Sequence, residues 1–136
     1  MIKSVIFDLS GVLINLKSHG DFDIIQDNFN FAKELKDDYK LGVLSNLSLG
    51  YVNKLKKEGF YDIFDVVNLS GETNLLKPDE RSYFLILKKL ETLPQETIFI
   101  DDSYENIKGA DKLGIKVILY QNTFDLKDNF YNLIKK

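Results

Sequence analysis

Three acids and a lysine are the residues of this chain best suited to chemistry, and each stands beside a run of apolar residues. Asp8 closes Val5-Ile6-Phe7, and Asp101 and Asp102 close Ile98-Phe99-Ile100. Ser45 and Asn46 follow Gly42-Val43-Leu44, and Lys77 stands directly before Pro78. If the apolar runs are parallel neighbouring strands, these groups gather at one carboxyl-terminal sheet edge, where open α/β sheets bind ligands. Carboxylates, a hydroxyl and one ammonium together suit a divalent cation and a phosphoryl group.

Each residue carries a plainer reading as well. Asp8, at a strand end, can attack a phosphoryl group to form an acyl phosphate, and its other oxygen can bind Mg²⁺. Asp101 and Asp102 point different ways on an extended strand end, so one would ligate directly and the other through water. Taken alone, that pair reads equally well as the cap of a helix starting near Ser103. The Ser45 hydroxyl and the backbone N–H groups of Ser45 and Asn46 can hold phosphate oxygens at a helix start. Taken alone, those two read better as a plain helix cap. Lys77 can neutralise charge that builds between Asp8 and a phosphate, whereas an isolated lysine before proline is usually only solvated. The shared position at strand ends gives the combination its weight.

The elements that would position these residues alternate. Strand patterns cover Ser4–Asp8, Lys40–Ser45, Asp65–Leu69, Thr97–Asp101 and Lys116–Tyr120. The central ones are short and almost wholly apolar, as strands covered on both faces are. Helical spacing covers Asp23–Leu35, Leu49–Glu58, Asp79–Leu90, Tyr104–Leu113 and Asp125–Ile134, with Pro78 before the third and Gly114 after the fourth. The expectation is a three-layer α/β/α, Rossmann-like domain built on a five-stranded parallel sheet with right-handed crossovers.

The 136 residues suit one domain spanning 1–136, and the 44% apolar and 29% charged fractions are those of a globular chain. Without cysteine there is neither a disulfide nor a thiolate metal site, and one histidine excludes a multi-histidine site. A net charge of −3 gives no electrostatic reason to expect nucleic acid. The first residues read as a strand rather than a leader, and no apolar run approaches the length of a membrane span. A cytoplasmic protein without a membrane partner is expected. Phe60, Tyr61 and Phe64 are read as core rather than interface.

Phe7-Asp8-Leu9-Ser10-Gly11-Val12-Leu13 resembles the first motif of the haloacid dehalogenase superfamily. Ser45-Asn46 resembles its second, Lys77-Pro78 its third, and Ile100-Asp101-Asp102-Ser103-Tyr104-Glu105-Asn106, followed by Ala110 and Leu113-Gly114, its fourth. All four stand in the family order and span nearly the whole chain. The nearest branch holds the haloacid dehalogenases and the phosphatase-like domain of epoxide hydrolases. The resemblance implies Mg²⁺ as cofactor, Asp8 as nucleophile and metal ligand, and the Ser10 carbonyl, Asp101 and Asp102 as further ligands. It also implies that Ser45, Asn46 and Lys77 grip a phosphate and that Asn106 fixes the fourth loop. A phosphorylated substrate is the implied partner.

Two departures matter. Phosphatases of this family carry an aspartate two residues after the nucleophile, which protonates the leaving group and then activates water. Here that position is Ser10, a poor acid or base near neutral pH, and such help is typically worth about 10²–10⁴-fold. A slow phosphatase, a long-lived acyl phosphate, and phosphate binding without turnover all remain open. The dehalogenase activity is disfavoured, because those enzymes carry an aromatic residue at this place and an arginine soon after. The second departure is size: one helix with its lead-in fills the stretch from Asp8 to Ser45, and one helix and a turn the stretch from Lys77 to Asp101. Neither has room for a cap domain. An open site suggests a large substrate, a closing partner or low selectivity. Asn15–Asp21 is expected to form a short flap over the pocket, in which Lys17 and His19 are more simply solvent-exposed than substrate contacts.

Two functions of different class follow: a Mg²⁺-dependent phosphomonoester hydrolase, and a metal- and phosphate-binding regulatory module. A signalling receiver domain also gathers acids and a lysine at strand ends. Its phosphoacceptor would close the third strand, and Asp65-Val66-Val67-Asn68-Leu69 ends without a carboxylate.

Overall fold

The computed structural model describes residues 1–47 and 49–135. Its main sheet has five parallel strands: β1 (Ser4–Phe7), β4 (Lys40–Ser45), β5 (Val66–Leu69), β6 (Thr97–Asp101) and β7 (Lys116–Leu119), in the order β5-β4-β1-β6-β7. The strand order reverses at β1, which lies between β4 and β6 with Phe7 opposite both Val43 and Ile100. The Asp8 amide extends that ladder by donating to the Ile100 carbonyl at 2.9 Å. Asp8 and Asp101 therefore emerge side by side at the carboxyl edge.

Alternation along the strands divides the core into two layers. Val5 and Phe7 of β1, with Ile98 and Ile100 of β6, face α1 (Gln26–Leu35), α2 (Leu49–Lys57) and α6 (Thr123–Ile134), meeting Phe31, Leu55 and Phe130. Ile6 and Phe99 point the other way, toward Tyr83 and Ile86 of α4 (Glu80–Leu90) and Ile107 of α5 (Tyr104–Asp111). Both faces are covered, which is why the strands read as unbroken apolar runs. Phe60 and Phe64 are buried in the first layer, and Tyr61 packs against it.

The helix expected from Asp23 starts later. Ile14–Leu16 (β2) and Phe22–Ile24 (β3) instead pair antiparallel as a separate hairpin, and α1 begins only at Gln26. The pattern Ile14-Asn15-Leu16 and Phe22-Asp23-Ile24 alternates with period two, and Gly20 turns between the arms with φ 75°. A further short helix, α3 (Ser70–Thr73), follows β5. Elsewhere the ends shift slightly: Asp79 caps α4 by accepting from the Arg81 amide at 2.9 Å, and Asn122 caps α6 by accepting from the Asp125 amide at 2.9 Å. Among the described residues no helix is long and apolar enough to cross a membrane.

Phe130 joins α6 to α1 and to the residue before β4, meeting the Phe31 and Tyr39 rings edge-on at 5.4 and 5.6 Å. Phe130→Ala is expected to lower the unfolding free energy by about 3–5 kcal/mol, the cost of a large buried truncation; a urea titration by circular dichroism measures it.

Candidate active site

The loop after β1 is held by short backbone bonds. Gly11 donates to the Ile14 carbonyl at 2.8 Å, and Ile14 to the Leu9 carbonyl at 2.9 Å. This turn uses neither backbone group of Ser10. Gly11 has φ 88°, and a Cβ there would run into the Asp102 carboxylate, so conformation and space both demand glycine.

Lys77 comes from the segment before α4 and is only 5% exposed. Its Nζ donates to Asp8 Oδ1 at 2.7 Å, to Asp101 Oδ2 at 2.8 Å and to the Leu44 carbonyl at 2.9 Å. All three ammonium protons thus have acceptors. The Lys77 backbone is clamped in turn: its amide donates to Asn46 Oδ1 at 2.9 Å, and Asn46 Nδ2 donates to its carbonyl at 3.1 Å. The Asn46 side chain is engaged in holding Lys77. Ser45 is buried, and its Oγ accepts from the Leu47 amide at 3.1 Å.

Asp101 is fully buried. Its Oδ1 accepts from the Ser103 amide at 2.9 Å, and its Oδ2 from Asn106 Nδ2 at 3.1 Å as well as from Lys77. One Asp101 oxygen thus meets the backbone at the start of α5, and the other meets Lys77 and Asn106. Asp8 Oδ1 accepts from the Leu9 amide at 2.8 Å and from Lys77. Asp8 Oδ2 takes part in neither of these contacts, and the Asp102 carboxylate lies against Asp8 and its own amide.

Carboxylate oxygens of Asp8, Asp101 and Asp102 lie within 4.8 Å of one another. Burial pushes Asp8 up to about 8; Lys77 pulls it down and Asp101 pushes it up again. Asp102 is raised too, chiefly by burial. One lysine does not offset three crowded acids, and a cation among them would relieve the remainder. The open oxygens are hard donors of the kind Mg²⁺ takes, so the residues fit that ion.

Asp8, Ser10, Ser45, Asn46, Lys77, Asp101 and Asp102 all line one recess of about 160 Å³, together with Leu47, Ser103 and Asn106. The hairpin tip does not line it. Lys17 pairs with Asp23 at 2.9 Å, and Asp21 with Lys54 at 3.2 Å, both on the surface.

A family model described as haloacid dehalogenase-like hydrolase matches residues 14–120. The chain belongs to this family. The matched stretch begins after Asp8 and Ser10, so those two rest on the geometry above and on their own sequence pattern. Among relatives of this haloacid dehalogenase-like chain, the pyrophosphatase PpaX of Listeria monocytogenes is 31% identical over 99 residues, 71% of this chain and 46% of that protein. The glyceraldehyde 3-phosphate phosphatase of Methanothermobacter thermautotrophicus is 31% identical over 83 residues, 60% of this chain and 37% of that protein. The chain spans less than half the length of these curated relatives. A haloacid dehalogenase family enzyme of Bacteroides thetaiotaomicron, solved with magnesium and inorganic phosphate, has the same fold: TM-score 0.81, 21% identity, 89% of this chain and 95% of that one.

Two outcomes follow for stability. Lys77→Met strands the buried Asp101 charge and is expected to cost about 3–5 kcal/mol in denaturant titrations, as the breaking of a buried pair does. In metal-free protein between about pH 4 and pH 8, folded Asp8 keeps a proton that the unfolded chain has lost. Stability therefore falls as pH rises through that window. Asp8→Asn should flatten the fall, as read from thermal midpoints in chelator.

Proposed function

We propose that this chain is a Mg²⁺-dependent phosphomonoester hydrolase that works through an aspartyl phosphate on Asp8, slowly because Ser10 stands where an acid–base aspartate is usual. The observation that carries the reading is the Lys77 ammonium between Asp8 and Asp101, with Asp102 alongside in the same recess. In this reading Asp8 Oδ2, Asp102 and the Ser10 carbonyl hold the cation directly, and Asp101 supports it while orienting Lys77. The bound cation would supply positive charge for the phosphoryl oxygens.

With Oδ2 turned to the cation, Asp8 Oδ1, beside the Leu9 amide and Lys77, forms the bond to phosphorus as the ester P–O bond breaks and the alcohol leaves with a proton from water. Lys77 stays in place and stabilises charge on the transferring group. The Ser45 hydroxyl and the Asn46 backbone N–H bind phosphate oxygens. Water then cleaves the acyl phosphate, returning Asp8 and releasing phosphate. Ser10 can orient that water by a hydrogen bond but cannot take its proton efficiently near neutral pH.

The segment from β1 to β4 holds only the hairpin and α1, and the segment from Lys77 to β6 chiefly α4. We read residues 1–136 as one core domain without a cap, whose open recess admits a large phosphorylated substrate. Ser10 also supports a second reading, a module that binds Mg²⁺ and phosphate without turnover.

Hydrolysis of para-nitrophenyl phosphate with and without Mg²⁺ separates the two. The hydrolase reading expects Mg²⁺-dependent release that Asp8→Asn abolishes and Ser10→Asp raises on the order of 10²-fold. Phosphate binding without release under any condition would leave only the second reading, and absence of both would end the first and the second alike.

A further inference from the structure

We propose that Tyr83 is a positioning residue that acts through Asn106 on the Asp101–Lys77 pair, an inference that takes the recess to be the phosphate site. Tyr83 lies on α4, fully buried, with its ring edge-on to Phe99 at 5.5 Å. A phenylalanine would fill that volume equally well. The hydroxyl needs another explanation, because burying one is costly unless it is bonded.

Its partner is specific. The Tyr83 hydroxyl donates to the Asn106 carbonyl at 2.7 Å, in the first turn of α5. The Asn106 side chain then donates to Asp101 Oδ2 at 3.1 Å, the same oxygen that Lys77 reaches at 2.8 Å. A second observation marks this contact as close-fitting. A Cβ at Gly109, on the next turn of α5, would stand 2.8 Å from Pro78 Cβ, 3.2 Å from the Pro78 carbonyl and 3.3 Å from the Tyr83 hydroxyl. The backbone of α5 thus seats on the Lys77–Pro78 segment and the tyrosine hydroxyl together. One clasp sets the distance between the element carrying Asn106 and the segment carrying Lys77. Loss of the hydroxyl frees the Asn106 carbonyl, lets its amide drift from Asp101, and leaves Asp101 Oδ2 held by Lys77 alone.

The test uses the full chain with Tyr83→Phe, which keeps the ring, and Gly109→Ala, whose Cβ presses on Pro78 and on the hydroxyl together. Three quantities are read: the side-chain amide resonance of Asn106 by NMR, the affinity for inorganic phosphate in saturating Mg²⁺ by calorimetry, and the urea midpoint. Both variants are expected to shift the Asn106 resonance and to weaken phosphate by about 10–100-fold, the usual effect of losing a supporting partner, with a urea midpoint close to the native one in Tyr83→Phe. An unmoved Asn106 resonance in Tyr83→Phe overturns the proposal. So does a phosphate affinity that falls only as far as the midpoint does. A native chain that binds no phosphate removes the reading of the recess itself, and the Asn106 resonance then decides the Tyr83 contact by its own result.

Discussion

The structure turns on one buried ammonium. Lys77 Nζ sits out of water between two carboxylates and a main-chain carbonyl, and none of the four would be tolerable there without the others. That requirement accounts for much of the surrounding architecture. The Asn46 amide clamps the Lys77 backbone from both sides, and the Ser103 amide and Asn106 satisfy what remains of Asp101. The arrangement neutralises Asp101 and one oxygen of Asp8. It leaves the other Asp8 oxygen and Asp102 facing each other, and burial holds both carboxyls above their ordinary range.

The sheet makes this geometry available at low conformational cost. Parallel pairing of β1 with both β4 and β6 brings three strand ends to one edge, and the reversal of strand order at β1 opens the crevice there. The tight turn at Gly11 then folds back close under Asp102. Chain connectivity does the rest, since Asp101 ends its strand and Asp8, Asn46 and Asp102 stand first beyond theirs. The hairpin of β2 and β3 meets the loop after β1 through Ile14, but its tip does not line the recess. Its contacts to α2 run through the surface pair of Asp21 and Lys54 and through Lys54 over the Phe22 ring.

Much of this was legible from residue types alone. The strand set came through because a strand buried on both faces is apolar at every position, and the acid positions because they interrupt those runs. The hairpin was missed because its arms are three residues each, too short for alternation to stand out beside the helical spacing of Ile25, Phe29, Ala32 and Leu35. The Asn46 side-chain amide goes to the Lys77 backbone, a contact between residues 31 apart that no local pattern announces. Nothing local singles out Tyr83, because its hydroxyl partner lies on another helix.

The sequence by itself determined the layered α/β class, the family likeness and the identity of the chemically able residues, since these depend on local periodicity and on residue types at strand ends. Only the tertiary structure decided which oxygen of each acid is spent and which is open, and that Lys77 is a fixed internal charge rather than a solvated one. It also decided that Asp101 serves a helix start and the lysine at once. Those outcomes depend on distances between segments far apart in the chain, and on how much water each group loses when the segments meet. Neither quantity is written in any window of the sequence.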